Sequence, residues 1–197
     1  MQVFEVEDGM VVQPNCAYII PPNRDMAFLN GALQLLEPTA PRGQRLPIDF
    51  FFRSLAQDQH DRAIGIVLSG TGSDGALGVR AIKGEGGMVM VQSPESTEFD
   101  GMPNSALATG LVDYTLEPAQ MAPQILAYAR RACAPPALAP RFPTDENAFR
   151  KIFVVLRDRL GHDFSQYKPG GVERRVQRRM AVHQVGSLTD YLKYLQR

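Results

Sequence analysis

The residues with the clearest chemical potential lie in a glycine-rich turn, Ser69-Gly-Thr-Gly-Ser-Asp-Gly-Ala-Leu-Gly78. The apolar run before it predicts a buried strand, and the amphipathic stretch after it predicts a helix. Such a junction exposes backbone amides at a helix N-terminus, where negative charge is stabilised. A carboxylate at the end of a strand, here Asp74, beside amides that can form an oxyanion hole, suits acyl transfer. Asp74 would be the third member of a Ser-His-Asp triad.

Two other interpretations of this turn stay open. Gly70, Gly72 and Gly75 also have the spacing of a dinucleotide-binding fingerprint, and Glu95 follows the next predicted strand at the expected distance. Against a nucleotide, Asp74 would place negative charge where a pyrophosphate should bind. The turn would also serve as a purely structural tight connection between strand and helix.

A cluster of arginines lies on a predicted helix from about Gly171 to Gln184. At 100° per residue its arginines share one arc, here called the arginine stripe, and its apolar residues share an adjoining arc that faces the bundle. The stripe is Arg174, Arg175, Arg178 and Arg179; the apolar arc is Val172, Val176 and Met180. With only Glu173 to pair with, the stripe is predicted to face solvent. It favours binding of an acidic partner over a merely solvated face, and no nucleic-acid recognition motif accompanies it.

Composition sets the class of protein. With 197 residues, 44% hydrophobic and 21% charged, the chain can form one large or two smaller globular domains. No apolar run of about 18 residues and no signal peptide occur, which predicts a cytoplasmic protein without membrane insertion. Cys16 and Cys133 are far apart and lack metal-ligand spacing, so neither a disulfide framework nor a metal site is expected.

Charge and proline content divide the chain. Residues 1–140 hold 9 basic and 15 acidic residues, whereas residues 141–197 hold 12 and 6. Four prolines within residues 133–143 predict an extended linker between a domain over 1–132 and a domain over 144–197. Before the linker, strands alternate with helices, which predicts an α/β domain with a parallel sheet. Predicted strands are 3–6, 17–20, 27–29, 33–36, 63–68, 88–92 and 112–116; predicted helices are 48–57, 74–85 and 103–109; Asn30-Gly31 is a predicted turn.

After the linker the periodicity is helical throughout, which predicts a small all-α bundle. Thr144 or Asp145 would cap a first helix, and a second runs over 171–184. Ser187 would cap a third helix. The apolar faces are Phe149, Ile152, Phe153 and Leu156 on the first helix and Tyr191, Leu192 and Leu195 on the third.

Separate blocks spread over residues 2 to about 128 carry a recognisable pattern. They are Val6–Gly9, Tyr18–Pro22, Pro47–Phe50, Arg53–Ala56, Ile64–Gly78, Ile82–Gly87, Gln92, Gly101–Pro103 and Ala106–Gly110. In this order they closely resemble the catalytic domain of bacterial chemotaxis protein-glutamate methylesterases. The resemblance implies a Rossmann-like parallel-sheet domain that hydrolyses glutamyl γ-methyl esters on chemoreceptor helices without a cofactor. It makes Asp74 the triad aspartate and places Gly70, Thr71, Gly72, Gly75 and Met102 in the active-site loops.

The resemblance also brings out departures. The family's nucleophilic serine and its histidine belong to the opening part of the domain, and neither is found here. No Gly-x-Ser-x-Gly turn occurs, His60 lies in a polar loop, and His162 and His183 lie beyond the linker. We therefore expect a chain that begins inside a methylesterase domain and is inactive alone. Asp25 stands where many relatives carry histidine.

The second half carries its own pattern in Leu160–Phe164, Tyr167-Lys168, Val172–Met180 and Ser187–Leu195. These residues resemble the N-terminal helical domain of chemotaxis receptor methyltransferases, over essentially 146–197. The resemblance implies S-adenosylmethionine as methyl donor, bound chiefly by a domain that would follow Arg197. It also implies that the arginine stripe docks acidic methyl-accepting chemoreceptor helices.

Together the halves look like the junction of a hybrid methylesterase–methyltransferase signalling protein. Receiver or sensor domains would lie outside this chain. The alternatives are the nucleotide-binding module described above and a non-catalytic signalling adaptor.

Overall fold

A computed structural model describes residues 1–41, 43–132, 146–161, 164, 167 and 169–196. The chain forms two compact units, Met1–Met121 and Ala122–Arg197. The predicted linker over 133–143, the predicted caps Thr144 and Asp145, and His162 lie outside the described residues. The domain limits at 132 and 144 stay predictions.

The first unit mixes eight strands with three helices among its described residues. The strands are β1 (Gln2–Glu5), β2 (Met10–Val11), β3 (Cys16–Ile19), β4 (Asp25–Leu29), β5 (Ala32–Leu36), β6 (Ile64–Val67), β7 (Met88–Gln92) and β8 (Tyr114–Leu116). The helices are α1 (Pro47–Gln59), α2 (Ala76–Gly84) and α3 (Gly101–Leu107), with short 3-10 turns at His60–Arg62 and Pro94–Ser96. The predicted strands and helices are confirmed, with small shifts at their ends. Only the two-residue β2 was missed.

The centre of this unit is a parallel sheet in the order β6-β7-β8. Ile64 lies opposite Met88, and Met90 lies opposite Tyr114. All five residues of β7 are buried, as expected for a central strand covered on both faces. The predicted α/β class with a parallel sheet is thus confirmed.

Helices α1 and α2 pack against the core that this sheet helps to form. Phe52 and Ala56 lie one turn apart on the buried face of α1, and Val79 and Ile82 do the same on α2. The helices approach closely because Gly78 has no side chain. A Cβ there would lie 2.5 Å from Cβ of Phe52. This contact places the first turns of α1 and α2 side by side.

The segment before α1 forms smaller sheets. β1 pairs with β3 in parallel, and β4 and β5 form an antiparallel hairpin to which β2 adds. Asn30 and Gly31 have φ of 50° and 81°, the left-handed backbone that a two-residue hairpin turn requires. The predicted turn is confirmed. Val6, Met26 and Leu33 form the core of this part.

The second unit is helical. Helix α4 (Pro118–Ala132) begins in the last residues of the first unit, and α5 (Glu146–Leu160), α6 (Pro169–Val182) and α7 (Leu188–Leu195) follow. Its core consists of Ala148, Ile152, Val176, Met180, Leu188 and Tyr191. The Asp190 amide donates to Ser187 Oγ at 3.1 Å, which confirms the predicted cap of α7. The predicted all-α bundle is confirmed.

Helix α4 was not predicted. Its Tyr128 is only 2% exposed, and the Arg178 guanidinium of α6 lies 5.9 Å from the centre of its ring. This is a cation–π contact. Residues 122–132 of α4 thus lie in the helical unit. Across the part of the chain that the structure describes, no helix has the length and apolar character needed to cross a bilayer.

We predict that Tyr128→Ala lowers the free energy of unfolding of the helical unit by about 3 kcal/mol, because a buried ring is lost. Native-state hydrogen exchange of the α6 amides measures this in the intact chain. The control Leu126→Ala removes a side chain that is 57% exposed on the same helix, and should change stability by less than about 0.5 kcal/mol. Equal effects of the two variants would contradict the assignment of α4 to this unit.

Candidate functional site

The glycine-rich turn leaves the carboxyl end of β6 and leads into α2. Gly72 and Gly75 have φ of 84° and 95°, and Gly75 is the N-cap of α2. Thr71 is exposed beside Gly72. Ligand sites of parallel α/β sheets lie at this edge, beyond the carboxyl ends of the strands.

The turn is fastened to the segment that begins α3. The Gly70 amide donates to the Phe99 carbonyl at 2.9 Å, and the Met102 amide donates to the Gly70 carbonyl at 2.8 Å. Gly101 packs directly on the turn, since a Cβ there would lie 2.8 Å from the Gly72 nitrogen. The structure thus brings together Gly70, Gly72 and Met102, which the sequence analysis assigned to one active-site loop region.

A buried amide side chain anchors the start of the turn. Gln92 Oε1, at the end of β7, accepts from the Ser69 amide at 3.0 Å, and Gln92 Nε2 donates to the Ser96 carbonyl at 2.9 Å. Gln92 appeared in the sequence only as one residue of the family pattern. Its anchoring role depends on a contact 23 positions back in the chain, which no local pattern reveals.

Asp74 lies partly buried just before α2, and its carboxylate turns towards the N-terminus of α1. Oδ2 accepts from the Ile48 amide at 3.0 Å, and Oδ1 accepts from the Asp49 amide at 2.9 Å. The N-cap of α1 is Leu46, whose side chain forms no capping bond. Asp74 therefore satisfies two of the free amides of that helix and complements its dipole. The carboxylate is held in one orientation by backbone groups.

Asp49 is a second carboxyl group at this point, and it was not singled out from the sequence. It is 1% exposed, and its Oδ1 accepts from the Gly78 amide at 2.6 Å. Burial raises the pKa of Asp49, and the negative charge of Asp74 adds to the rise. The bond from Gly78 and the charge of Arg53 oppose it. The sequence signal was a polar residue between Ile48 and Phe50.

These bonds bear on the nucleotide alternative. The Gly78 amide in the first turn of α2 is already bonded to Asp49, and the Ala76 amide donates to the Ser73 carbonyl. A pyrophosphate at this helix would need such amides free. Glu95, the acidic residue at the distance that this fingerprint expects, lies in the 3-10 turn Pro94–Ser96. The geometry gives this alternative no support.

No histidine of the first unit approaches Asp74. His60 is the C-cap of α1, whereas Asp74 sits at the other end of that 13-residue helix, about 20 Å away. His60 Nδ1 instead lies 2.9 Å from Glu85 Oε2, with both side chains exposed. Among the described residues, no group of three or more His, Cys, Asp or Glu side chains is placed to hold a metal ion.

The second unit presents the arginine stripe on α6. Arg174, Arg175 and Arg179 are exposed, as predicted, while Val176 and Met180 are buried in the core. Arg178 departs from the prediction. It is partly buried, and its guanidinium lies over the ring of Tyr128 on α4. Three arginines, rather than four, form the exposed charged surface.

A mostly apolar groove of about 790 Å³ adjoins the stripe. Arg175 and Arg179 border it, and Tyr191 and Tyr194 of α7 line it together with Leu156, Val172, Val176 and Leu195. Burial raises the pKa of Tyr191, and the Arg179 guanidinium partly offsets the rise. Tyr191, which the sequence places on the apolar face of α7, thus also faces this groove.

Comparison with known proteins identifies the family. Residues 1–125 match the family model described as CheB methylesterase, and residues 147–197 match the model described as CheR methyltransferase, all-alpha domain. The chain belongs to the CheB methylesterase family, here joined to a CheR-type helical domain. Both resemblances seen in the sequence are confirmed.

The relatives that this chain matches are much longer than the chain itself. Over 99% of its length the chain is 38% identical to an uncharacterized 104.1 kDa protein of Rhodobacter capsulatus, of which it covers 23%. Over 66% of its length it is 39% identical to protein-glutamate methylesterase/protein-glutamine glutaminase 1 of Myxococcus xanthus, of which it covers 39%. The chain therefore spans less than two-fifths of the length of these curated relatives.

A solved structure supports the fold of the first unit. The crystal structure of the Thermotoga maritima CheB methylesterase catalytic domain matches with a TM-score of 0.57 and 28% sequence identity. The match covers 62% of this chain and 67% of that one. The parallel sheet and its flanking helices are thus those of a methylesterase catalytic domain.

We predict that Gly101→Ala destabilises the first unit by about 1–3 kcal/mol, because the added methyl group would press on the Gly72 backbone, which cannot move like a side chain. Gly84→Ala at the end of α2 is the control, since a Cβ there meets nothing within 4 Å. It should be neutral or stabilising by up to about 1 kcal/mol. Urea unfolding midpoints measure both. A Gly101→Ala variant as stable as the control would show that the two loops are not in close contact.

Proposed function

We propose that the first unit supplies the aspartate of a protein-glutamate methylesterase triad and that the second unit docks the chemoreceptor helices on which the protein acts. The observation that carries the first half is the orientation of Asp74. Its carboxylate lies at the carboxyl edge of the parallel sheet, next to a fastened glycine-rich turn, and two α1 amides hold it. The name of the Myxococcus xanthus relative supports the same chemistry.

The bonding of Asp74 leaves room for a histidine. A carboxylate has about four acceptor positions, of which the Ile48 and Asp49 amides take two. The remaining positions can accept an imidazole N–H, which would fix the tautomer of that histidine and stabilise its protonated form. The histidine would then take the proton of a serine hydroxyl as the serine attacks the γ-methyl ester. Methanol leaves, and water hydrolyses the resulting acyl-enzyme to free glutamate.

The serine and the histidine come from outside residues 1–197 in this proposal. The sequence contains no Gly-x-Ser-x-Gly turn, and His60 lies at the far end of α1 from Asp74. An aspartate alone can orient a histidine but cannot replace the nucleophile or the base. We therefore assign no turnover to residues 1–197 by themselves.

The helical unit would dock an acidic, amphipathic receptor helix. Exposed Arg175 and Arg179 can pair with glutamates, while the groove beside them accepts apolar side chains of the same helix. Residues 141–197 hold 12 basic and 6 acidic residues, which adds long-range attraction for an acidic partner. We place the protein in the cytoplasm, where such receptor helices would be accessible.

S-adenosylmethionine would bind outside residues 147–197. The described residues of the helical unit contain no strand, and hence no glycine-rich strand–helix turn of the kind that holds a nucleotide. The helical unit contributes substrate recognition to the methyltransferase part.

We predict that Asp74→Asn lowers kcat by up to about 10⁴-fold in a protein that carries this chain together with the segment supplying the serine and histidine, since asparagine favours the wrong histidine tautomer. KM for a methylated receptor fragment should change little. Asp58→Asn, in the same unit, is the control and should retain full turnover. Normal kcat in Asp74→Asn would remove Asp74 from the triad.

We predict that the double variant Arg175→Glu/Arg179→Glu loses the salt-dependent part of binding to an acidic receptor helix. Exposed charge pairs are screened over about 8 Å at physiological ionic strength, so wild-type affinity should fall as salt rises. Glutamate forms helix well, so the helicity of α6 should be kept. Titration calorimetry at several salt concentrations, with circular dichroism as the check on folding, measures this.

The control for this experiment is Arg150→Glu/Lys151→Glu on α5, which makes the same change in net charge at two other exposed positions. It should bind nearly as well as the wild type. Unchanged binding by the Arg175/Arg179 variant would contradict docking on the stripe. Stronger binding of the wild type to duplex DNA than to the receptor helix would favour a nucleic-acid partner instead.

A further inference from the structure

Asp49 forms one hydrogen bond to Asp74 and another to the first turn of α2. Its backbone amide donates to Asp74 Oδ1 at 2.9 Å, and its side-chain Oδ1 accepts from the Gly78 amide at 2.6 Å. Gly78 lies in the first turn of α2, four positions after Asp74. A closed ring results: Asp74 bonds to Asp49, Asp49 bonds to Gly78, and the chain returns from Gly78 to Asp74.

We propose that Asp49 is a positioning residue for Asp74: it ties the first turns of α1 and α2 together and so holds the Asp74 carboxylate in the direction needed to receive a histidine. This proposal rests on the proposed function in one respect only, namely that the oriented carboxylate receives a histidine. The bonds themselves belong to residues 1–121 and are independent of turnover.

Two links between the helices restrict Asp74 more than one would. Without the Asp49–Gly78 bond, the first turn of α2 would be held against α1 only by the two Asp74 bonds and by the packing of Gly78 on Phe52. The Asp49–Gly78 bond fixes α2 at a second point, four residues further on. Both links join a carboxyl group to amides at a helix N-terminus, where the helix dipole strengthens the bond. The pair is therefore reciprocal, since each helix start is capped by a carboxyl group associated with the other.

The state of the Asp49 carboxyl supports this role. Its Oδ2 is buried and has no partner within 3.5 Å among the described residues, and the Gly75 amide is a weaker influence that lowers the pKa of Asp49. An ionised carboxylate with a buried, unpartnered oxygen is costly, which agrees with the raised pKa of Asp49. The charged groups that act on it are Asp74, before α2, and Arg53, one turn later on α1. Positioning thus depends on an acceptor at Oδ1 rather than on a negative charge, and asparagine can supply that acceptor.

The test compares Asp49→Ala and Asp49→Asn in the full chain by hydrogen exchange of the Ile48 and Asp49-position amides. Exchange of the Val91 amide, in the centre of the parallel sheet, serves as the reference for global stability. The measured quantity is the exchange rate of the Ile48 and position-49 amides divided by that of Val91. This ratio should be about tenfold higher in Asp49→Ala than in wild type, the factor expected when one helix cap is lost. Asp49→Asn should restore the wild-type ratio. Asp58→Asn, at the other end of α1, should not change it.

A pH series adds a second readout. The folded chain holds the Asp49 proton to higher pH than the unfolded chain, whose aspartates have the ordinary pKa of 3.8. The contribution of Asp49 to stability is therefore complete below that value and decreases as pH rises through the raised folded pKa. Asp49→Asn cannot titrate, so the wild-type unfolding free energy should fall with pH relative to that of the variant.

Two results would overturn the proposal. They are an unchanged exchange ratio in Asp49→Ala and a failure of Asp49→Asn to restore it. If Asp49→Ala does not fold, Asp49→Ser replaces it, because its hydroxyl is one bond too short to reach the Gly78 amide. These readouts need no ester hydrolysis, so a failed positioning test and a failed esterase assay are separate results.

Discussion

The first unit depends on the way in which α1 and α2 complete each other's N-termini. Neither helix has a side-chain cap from its own N-cap residue, which is Leu46 for α1 and Gly75 for α2. Asp74 and Asp49 provide the missing acceptors across the helix–helix contact. Free amides at two partly buried helix ends would otherwise cost several hydrogen bonds. The same bonds therefore join α1 to α2 and orient Asp74. The carboxylate that we propose for catalysis is also a structural group.

The glycine-rich turn beside this pair is fastened to β7 and to the start of α3. The Gln92 side chain holds the start of the turn, and the segment that begins α3 bonds to Gly70 and packs on Gly72 through Gly101. These contacts fix the position of the turn from two sides, as the preorganised amides of the proposed site would require.

Much of this fold followed from local patterns in the sequence. The apolar run of β7, the helical period of α2 and the Asn30-Gly31 turn each depend on neighbouring residues, and each was predicted correctly. The position of Asp74 at the end of a strand was also local. Its bonding partners were not, because the Ile48 and Asp49 amides lie 25 or more positions earlier. The role of Asp49 arises only when two helices come together, and no periodicity encodes that contact.

The helical unit illustrates the same limit. The helical angle placed four arginines on one arc of α6, which is correct geometry for an isolated helix. Arg178 is only partly exposed, and its guanidinium lies over the ring of Tyr128, 50 positions earlier in the chain. Helix α4 itself was missed, since Pro118 and Pro123 interrupt its pattern. Pro118 begins the helix, where a missing N–H costs nothing, and Pro123 is accommodated five residues later.

The contact between Tyr128 and Arg178 also bears on where the helical unit begins. The methylesterase match ends at residue 125 and the helical-domain match begins at residue 147, so Tyr128 lies between them. Yet its buried ring contacts the Arg178 guanidinium of α6. A segment limited to residues 147–197 would lack this ring. The structural unit is thus longer than the segment that the family pattern matches.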